Sequence, residues 1–133
     1  MQHYIKLAVW QRSHKLVLAI YRLTEAFPTG ERYGLTSQLR RAALSVPTNI
    51  GEGSKRAAPR DYGHFLNIAE GSLSETEYVL LVSRDLGYIS SETAHGYLSE
   101  VTELLKMLHG LRKTILADSP RRKPAAVNQR FAR

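Results

Sequence analysis

The chain has 133 residues, no cysteine and a formal net charge of +7. Its length suits one domain with a single hydrophobic core, and the lack of cysteine excludes disulfides and thiolate metal sites. No apolar run approaches the ~20 residues that a membrane-spanning helix needs, and the polar N-terminal segment does not resemble a signal peptide. We therefore expect a soluble cytoplasmic protein.

The first predicted helix runs from about Val9 to Phe27, because apolar residues recur there every three or four positions. Pro28 and Gly30 follow it. Proline cannot continue the helical hydrogen bonds and glycine relaxes the turn, so the pattern predicts that the helix ends here.

The second predicted helix covers Leu35 to Gly53 and carries two stripes, one apolar and one polar, each with helical spacing. The apolar stripe consists of Leu35, Leu39, Ala42, Val46 and Ile50, and the polar stripe of Gln38, Arg41, Ser45, Asn49 and Glu52. Pro47 lies inside the run, where a proline costs roughly 3 kcal/mol, so we predict a kink.

Two further helices follow. The third is predicted to begin at Pro59, which suits a first helical position, and to end at Gly87. Its predicted inward face consists of Phe65, Ile68, Ala69, Ser72, Thr76, Val79, Ser83 and Leu86. The fourth is predicted to begin after a cap at Ser90 or Ser91 and to end near Ala117.

Four amphipathic helices with short connections predict an all-α, up-down-up-down four-helix bundle over residues 1–117. Residues 118–133 contain five basic residues and little apolar content, which predicts a disordered basic tail. Several helices carry more apolar residues than one stripe needs, which favours self-association. The extra residues are Leu16, Tyr21 and Leu23 on the first helix and Leu66, Leu73, Leu80 and Leu81 on the third.

An ordered series of short blocks resembles the four-helix-bundle family of the 23S rRNA intervening-sequence protein. The blocks include Phe27-Pro28, Tyr33-Gly34-Leu35, Gln38-Leu39-Arg40-Arg41-Ala42, Ser45-Val46-Pro47, Asn49-Ile50, Glu52-Gly53, Gly71-Ser72-Leu73 and Leu86-Gly87-Tyr88. The sequence departs from the family pattern at Gly51, where alanine is usual, and at Thr76, where leucine is usual.

The resemblance implies a ring-like homopentamer of four-helix protomers without catalytic residues. The family also includes the accessory variability determinant of diversity-generating retroelements, in which the basic barrel engages a reverse transcriptase and nucleic acid. In the branch encoded within ribosomal RNA genes the resemblance implies no defined biochemical role.

Six polar residues form the first candidate constellation: Arg41, Ser45, Asn49 and Glu52 on the second helix, and Ser72 and Glu75 on the third. We interpret them as a buried structural network in which Arg41 pairs with a glutamate. A ligand or metal pocket is the alternative. No two histidines have ligand spacing, so we predict no metal site. A nuclease centre at Glu70, Glu75 and Glu77 is a weaker alternative.

Basic residues form the second constellation, a candidate nucleic-acid-binding surface. They are Arg40, Lys55, Arg56 and Arg60, reinforced by Arg121, Arg122 and Lys123. Their alternative interpretation is a solubilising face with internal ion pairs. Because aromatic residues do not interleave with these charges, binding is expected to be electrostatic rather than sequence-specific.

We therefore predict a non-enzymatic oligomeric scaffold or adaptor that contacts RNA, DNA or a nucleic-acid enzyme such as a reverse transcriptase. The expected partners include further copies of the chain, with no membrane, cofactor or small-molecule substrate. The alternative is a protein–protein interaction module with no nucleic-acid role.

Overall fold

The computed structural model describes residues 4–118, and within that range the chain forms four long α-helices, two short 3-10 helices and no strand. The long helices are α1 (Ala8–Thr24), α2 (Leu35–Ser54), α3 (Pro59–Asp85) and α4 (Ser91–Ala117). The 3-10 helices Tyr4–Lys6 and Thr29–Glu31 precede α1 and α2. The predicted all-α class with four helices is confirmed. The predicted tail, apart from Asp118, lies outside the described residues.

Each helix packs against the next one in sequence, and α1 also lies against α4. Within residues 4–118, the backbones of the diagonal pairs, α1 with α3 and α2 with α4, do not approach each other closely. The closest packing is between α2 and α3 and between α3 and α4, whereas α1 meets α4 less extensively. These contacts are those of an up-down-up-down bundle with α3 wedged between two neighbours.

Local chemistry explains where the helices begin and end. The Ser90 hydroxyl accepts a hydrogen bond from the Thr93 amide at 3.0 Å, so Ser90 is the N-cap of α4, as its sequence predicts. Pro59 occupies the start of α3. At the other end Gly87 has φ +80°, and the Tyr88 amide donates to the Ser83 carbonyl at 2.9 Å. A glycine with positive φ and this hydrogen bond form a Schellman C-terminal cap.

The core runs through all four helices, and its composition corrects the predicted inward face of α3. Leu66, Leu73 and Leu80 are fully buried, whereas Ile68 and Leu86 are 38% and 55% exposed. Because α3 contacts both α2 and α4, its buried stripe centres on positions 66, 69, 73, 76, 80 and 83. Most residues that we expected to be surplus, including Leu16 on α1, are therefore core residues of a single chain.

Two glycines in the last turn of α2 have different surroundings. A Cβ on Gly53 would lie 2.7 Å from the Phe65 Cβ and 3.3 Å from the Tyr62 carbonyl oxygen. The nearest atoms to a Cβ on Gly51 belong to the Tyr4 ring and lie 3.5 Å or more away, which is an ordinary contact. Gly53 is therefore required for the close approach of α2 to α3, and Gly51 is not.

Gly53→Ala should destabilise the fold by about 1–3 kcal/mol, because the added methyl group forces the two helix backbones apart. Gly51→Ala is the matched control and should stabilise the fold by about 0.5–1 kcal/mol, because alanine loses less backbone entropy in a helix. Urea unfolding followed by circular dichroism measures both. Equal effects of the two substitutions would contradict the assigned helix contact.

Candidate nucleic-acid interface and polar groove

A polar groove separates the exposed edges of α2 and α3. At its floor the Ser72 hydroxyl donates to the Ser45 hydroxyl oxygen at 2.8 Å. The Asn49 side-chain amide donates to the same oxygen at 2.9 Å and to the Ser45 carbonyl at 2.8 Å. The two serines are short enough to let the helices touch, and their hydrogen bond ties α2 to α3. Three members of the predicted network, Ser45, Asn49 and Ser72, are thus brought together.

Arg41 and Glu75 line opposite walls of this groove, one helical turn beyond the two serines. Both side chains are exposed, and within residues 4–118 neither takes part in an ion pair. The expectation that Arg41 is buried is therefore wrong. Its long side chain lies on the edge of α2, where Leu39, Ala42 and Val46 have already filled the core-facing positions.

Glu52, the sixth member of the predicted network, lies at the other end of α2 and bonds a different arginine. The Arg56 Nη2 atom donates to the Glu52 Oε1 atom at 2.6 Å, an exposed pair four residues apart on the helix. Arg41 and Glu52 cannot pair, since eleven residues, roughly 16 Å of helix, separate them.

Three candidate nucleic-acid-binding residues gather at the turn between α2 and α3. Lys55, Arg56 and Arg60 are all exposed. Arg56 also lies over the Phe65 ring at 4.8 Å, and the Lys55 amine lies 5.9 Å from the centre of the Tyr4 ring. These contacts hold both cations at the surface, and Arg56 is in addition paired with Glu52.

Arg40 does not belong to this group. It lies fifteen residues before Lys55 on α2, roughly 22 Å along the helix. Its guanidinium donates to the Thr24 hydroxyl at 2.7 Å and to the Tyr21 carbonyl at 3.1 Å, and it stacks on the Tyr21 ring at 4.6 Å. Arg40 therefore ties α2 to the last turn of α1, a role that sequence spacing does not reveal.

The charges of the described residues are separated along the bundle. We divide the bundle across its length into two halves. The half that contains the α2–α3 turn, which we call the basic half, consists of residues 4–15, 45–70 and 104–118. They contain nine lysines and arginines and four acids, a net +5. The acidic half, residues 16–44 and 71–103, contains five bases and eight acids, a net −3.

The end of α4 belongs to the basic half, because Gly63 near the start of α3 lies against Leu116. The chain continues from Asp118 into Arg121, Arg122 and Lys123, three of the predicted binding residues, which lie outside the described residues. Whatever their conformation, these charges are covalently attached to the end of the bundle that is already basic.

The acids of α3 do not converge on a common point. Glu70 accepts a hydrogen bond at 2.6 Å from Arg112 of α4, which also raises the pKa of that arginine, while Glu75 lies in the groove. In residues 4–118 no group of three or more His, Cys, Asp or Glu side chains is placed to hold a metal ion. No helix of that range is long and apolar enough to cross a membrane.

A sequence model of a family described as 23S rRNA-intervening sequence protein matches residues 5–110. The chain belongs to this family. Its fold is similar to the crystal structure of a protein of unknown function from the S23 ribosomal protein family of Bacteroides thetaiotaomicron. The two share 26% sequence identity with a TM-score of 0.72, covering 80% of this chain and 99% of the other. No curated protein matches the chain.

Thr76, one of the departures from the pattern of the intervening-sequence family, is fully buried in α3. Its hydroxyl donates to the Ser72 carbonyl at 2.8 Å. The polar atom therefore has a partner within its own helix, and the threonine fits an apolar core without an unsatisfied group.

Glu31 holds the connection between α1 and α2, which borders the polar groove. One carboxylate oxygen accepts a hydrogen bond from the Leu35 amide at 3.1 Å, and the other accepts from the Tyr88 hydroxyl at 2.7 Å. The first bond satisfies a free amide of α2, and the second ties the α1–α2 connection to the α3–α4 connection. The bond from Leu35, and then that from Tyr88, lower the pKa of Glu31 below its usual 4.5.

A group whose pKa is lowered by folding stabilises the folded state above its unfolded pKa and loses that effect as the pH falls through its folded pKa. Wild-type protein should therefore unfold at a higher temperature than Glu31→Gln at pH 7, and the gap should close as the pH falls below about 4.5. Thermal unfolding across this pH range measures it. Tyr88→Phe should raise the Glu31 pKa towards 4.5, and a pH-independent gap would contradict the assignment.

Proposed function

We propose that this intervening-sequence family protein is a non-enzymatic, oligomeric adaptor that contacts nucleic acid through its basic half. The observation that carries the proposal is the separation of charge: net +5 in the basic half against net −3 in the acidic half. A polyanion is the partner whose charge complements the basic half.

The composition beyond the bundle supports the same partner. Residues 119–133 add five basic residues and no acid, and they begin where α4 ends. Lys55 and Arg60 have exposed side chains on the same half, and neither forms an ion pair within residues 4–118. Several such cations can each neutralise one phosphate, which is how sequence-independent binding arises.

The names of the relatives point the same way. The description of the matching family contains the name of 23S rRNA, and the similar solved protein is assigned to a ribosomal protein family. The resemblance to retroelement accessory proteins suggests a nucleic-acid enzyme such as a reverse transcriptase as a second partner. We propose no substrate and no cofactor for the chain itself.

An apolar patch on the α1–α2 face supports self-association. Leu18 and Leu44 are 41% and 46% exposed, and Tyr21 lies one turn from Leu18 on the same side of α1. Leu44 borders a groove that also contains Trp10 and Pro47. Burying these side chains between copies would remove apolar surface from water, and we propose the ring-like pentamer of the family as the assembly.

The affinity for a double-stranded DNA or RNA fragment should fall steeply with salt. If about five phosphates are neutralised, log affinity should fall against log salt concentration with a slope near −4.5 for a duplex. Lys55→Gln with Arg60→Gln should reduce that slope by about two, since two phosphate contacts are lost. Fluorescence anisotropy with a labelled fragment measures the slope.

Arg22→Gln with Arg32→Gln, two exposed arginines of the acidic half, is the matched control and should leave the slope unchanged. A chain ending at Asp118 separates the contribution of the bundle from that of residues 119–133. If neither chain length binds nucleic acid at low salt, the adaptor proposal is wrong, and a protein-binding module becomes the better interpretation.

Leu18→Glu combined with Leu44→Glu should convert the oligomer to a monomer, because each copy would then bring buried charges to the shared face. Light scattering on the purified protein measures the native mass. Leu86→Glu is the control, since Leu86 is 55% exposed at the α3–α4 end of the bundle and should not affect assembly. A wild-type protein that stays monomeric at high concentration would refute self-association.

A further inference from the structure

The polar groove between α2 and α3 offers hydrogen-bonding groups that the bundle itself does not use. It has a volume of about 470 Å³, within the range of small-ligand sites. Its lining residues are Tyr33, Gly34, Ser37, Gln38, Arg41, Ala42, Ser45, Ser72 and Glu75. Polar groups therefore converge on a space that no side chain of residues 4–118 fills.

The groove has an acceptor on one wall and donors on the other. Glu75 presents a carboxylate, which accepts only, and Arg41 a guanidinium, which donates only. The floor of the groove is already bonded within the bundle, because Ser45 Oγ accepts from Asn49 and Ser72 and the Ser72 hydroxyl also contacts the Ile68 carbonyl at 3.2 Å. A complementary ligand carries N–H donors towards α3 and an anionic or acceptor group towards α2.

An aromatic ring stands at the mouth of the groove. Tyr33 is 88% exposed, the most exposed large apolar or aromatic side chain among the described residues, and Arg32 lies 5.6 Å from the centre of its ring. In the sequence no aromatic residue lies among the candidate binding residues between Arg40 and Arg60, but the fold brings Tyr33 into the same groove as Arg41. A ring in this position can stack on a planar ligand.

We infer that this groove binds an unpaired guanine nucleotide of single-stranded RNA, an inference that rests on the proposed nucleic-acid function. Guanine presents two adjacent N–H donors, N1–H and N2–H, on its Watson–Crick edge, and these match the two oxygens of the Glu75 carboxylate. Adenine, cytosine and uracil each place an acceptor beside their donor on that edge. The Arg41 guanidinium binds a phosphate, and the Tyr33 ring stacks on the base.

The base must be unpaired, because a Watson–Crick pair occupies the edge that Glu75 reads. This separates the groove from the basic half, which contacts phosphates in either single or double strands. The groove supplies base preference and the basic half supplies most of the affinity. The two contributions can therefore be measured apart.

The test uses the full chain and a short labelled oligouridine that carries one central guanosine, compared with the same oligomer carrying adenosine. Wild-type protein should bind the guanosine oligomer about tenfold more tightly, as expected for one bidentate contact to a base. Glu75→Gln should abolish this preference, because an amide offers only one acceptor and adds a donor. Tyr33→Leu should weaken binding of both oligomers.

Two controls are matched by residue type. Glu77→Gln changes a carboxylate of α3 that does not line the groove, and Tyr78→Leu changes a tyrosine that is 66% exposed and also outside it. Both should keep the wild-type preference. All four positions carry side chains outside the core, and circular dichroism verifies that each variant remains folded.

The outcomes separate this inference from the proposed function. Equal, salt-dependent binding of both oligomers by wild-type protein overturns the guanine site and leaves the adaptor proposal intact. A guanosine preference that survives Glu75→Gln also overturns the site. Failure of the full chain to bind either oligomer or a duplex at low salt overturns the adaptor proposal and, with it, this inference.

Discussion

The close approach of α2 and α3 determines the rest of this molecule. At one end of the interface Gly53 has no side chain, so the Phe65 Cβ can occupy a position 2.7 Å from where a Cβ on residue 53 would lie. Midway, two small side chains meet through the 2.8 Å bond between Ser45 and Ser72. Beyond them come Arg41 and Glu75, whose long side chains turn outwards. Side-chain size thus increases along the interface, and the polar groove opens where the small residues end.

Local signals made the helices predictable from the sequence. The boundaries of α3 and α4 follow from Pro59, Gly87 and Ser90, each of which acts through its own backbone or through an amide three residues away. The core face of α2 was predicted correctly from its helical spacing. This helix packs mainly against α3 and less extensively against α1. The helix continues through Pro47, where the sequence predicts a kink.

Contacts between distant residues were not predictable in this way. Spacing places Arg40 and Arg41 on neighbouring faces of α2, but it does not reveal that Arg40 meets Thr24 while Arg41 stays unpaired within residues 4–118. The pair of Arg12 with Glu100 joins residues 88 positions apart. The face of α3 was misjudged for the same reason, since the second helix that covers it, α4, follows later in the chain. The proximity of Tyr33 to Arg41 was also missed. Tyr33 lies in the connection before α2, where helical spacing does not predict the position of a side chain.

The separation of charge and the proposed ring oppose each other unless a polyanion is present. A cyclic ring of parallel copies would bring several halves of net +5 side by side, and neighbouring charges within a Debye length of about 8 Å at physiological salt repel. Apolar contacts through Leu18 and Leu44 would have to exceed that repulsion. Nucleic acid bound to the basic end replaces repulsion with attraction, so assembly and nucleic-acid binding would each strengthen the other. The same charge pattern that weakens an empty ring would therefore make a loaded ring more stable.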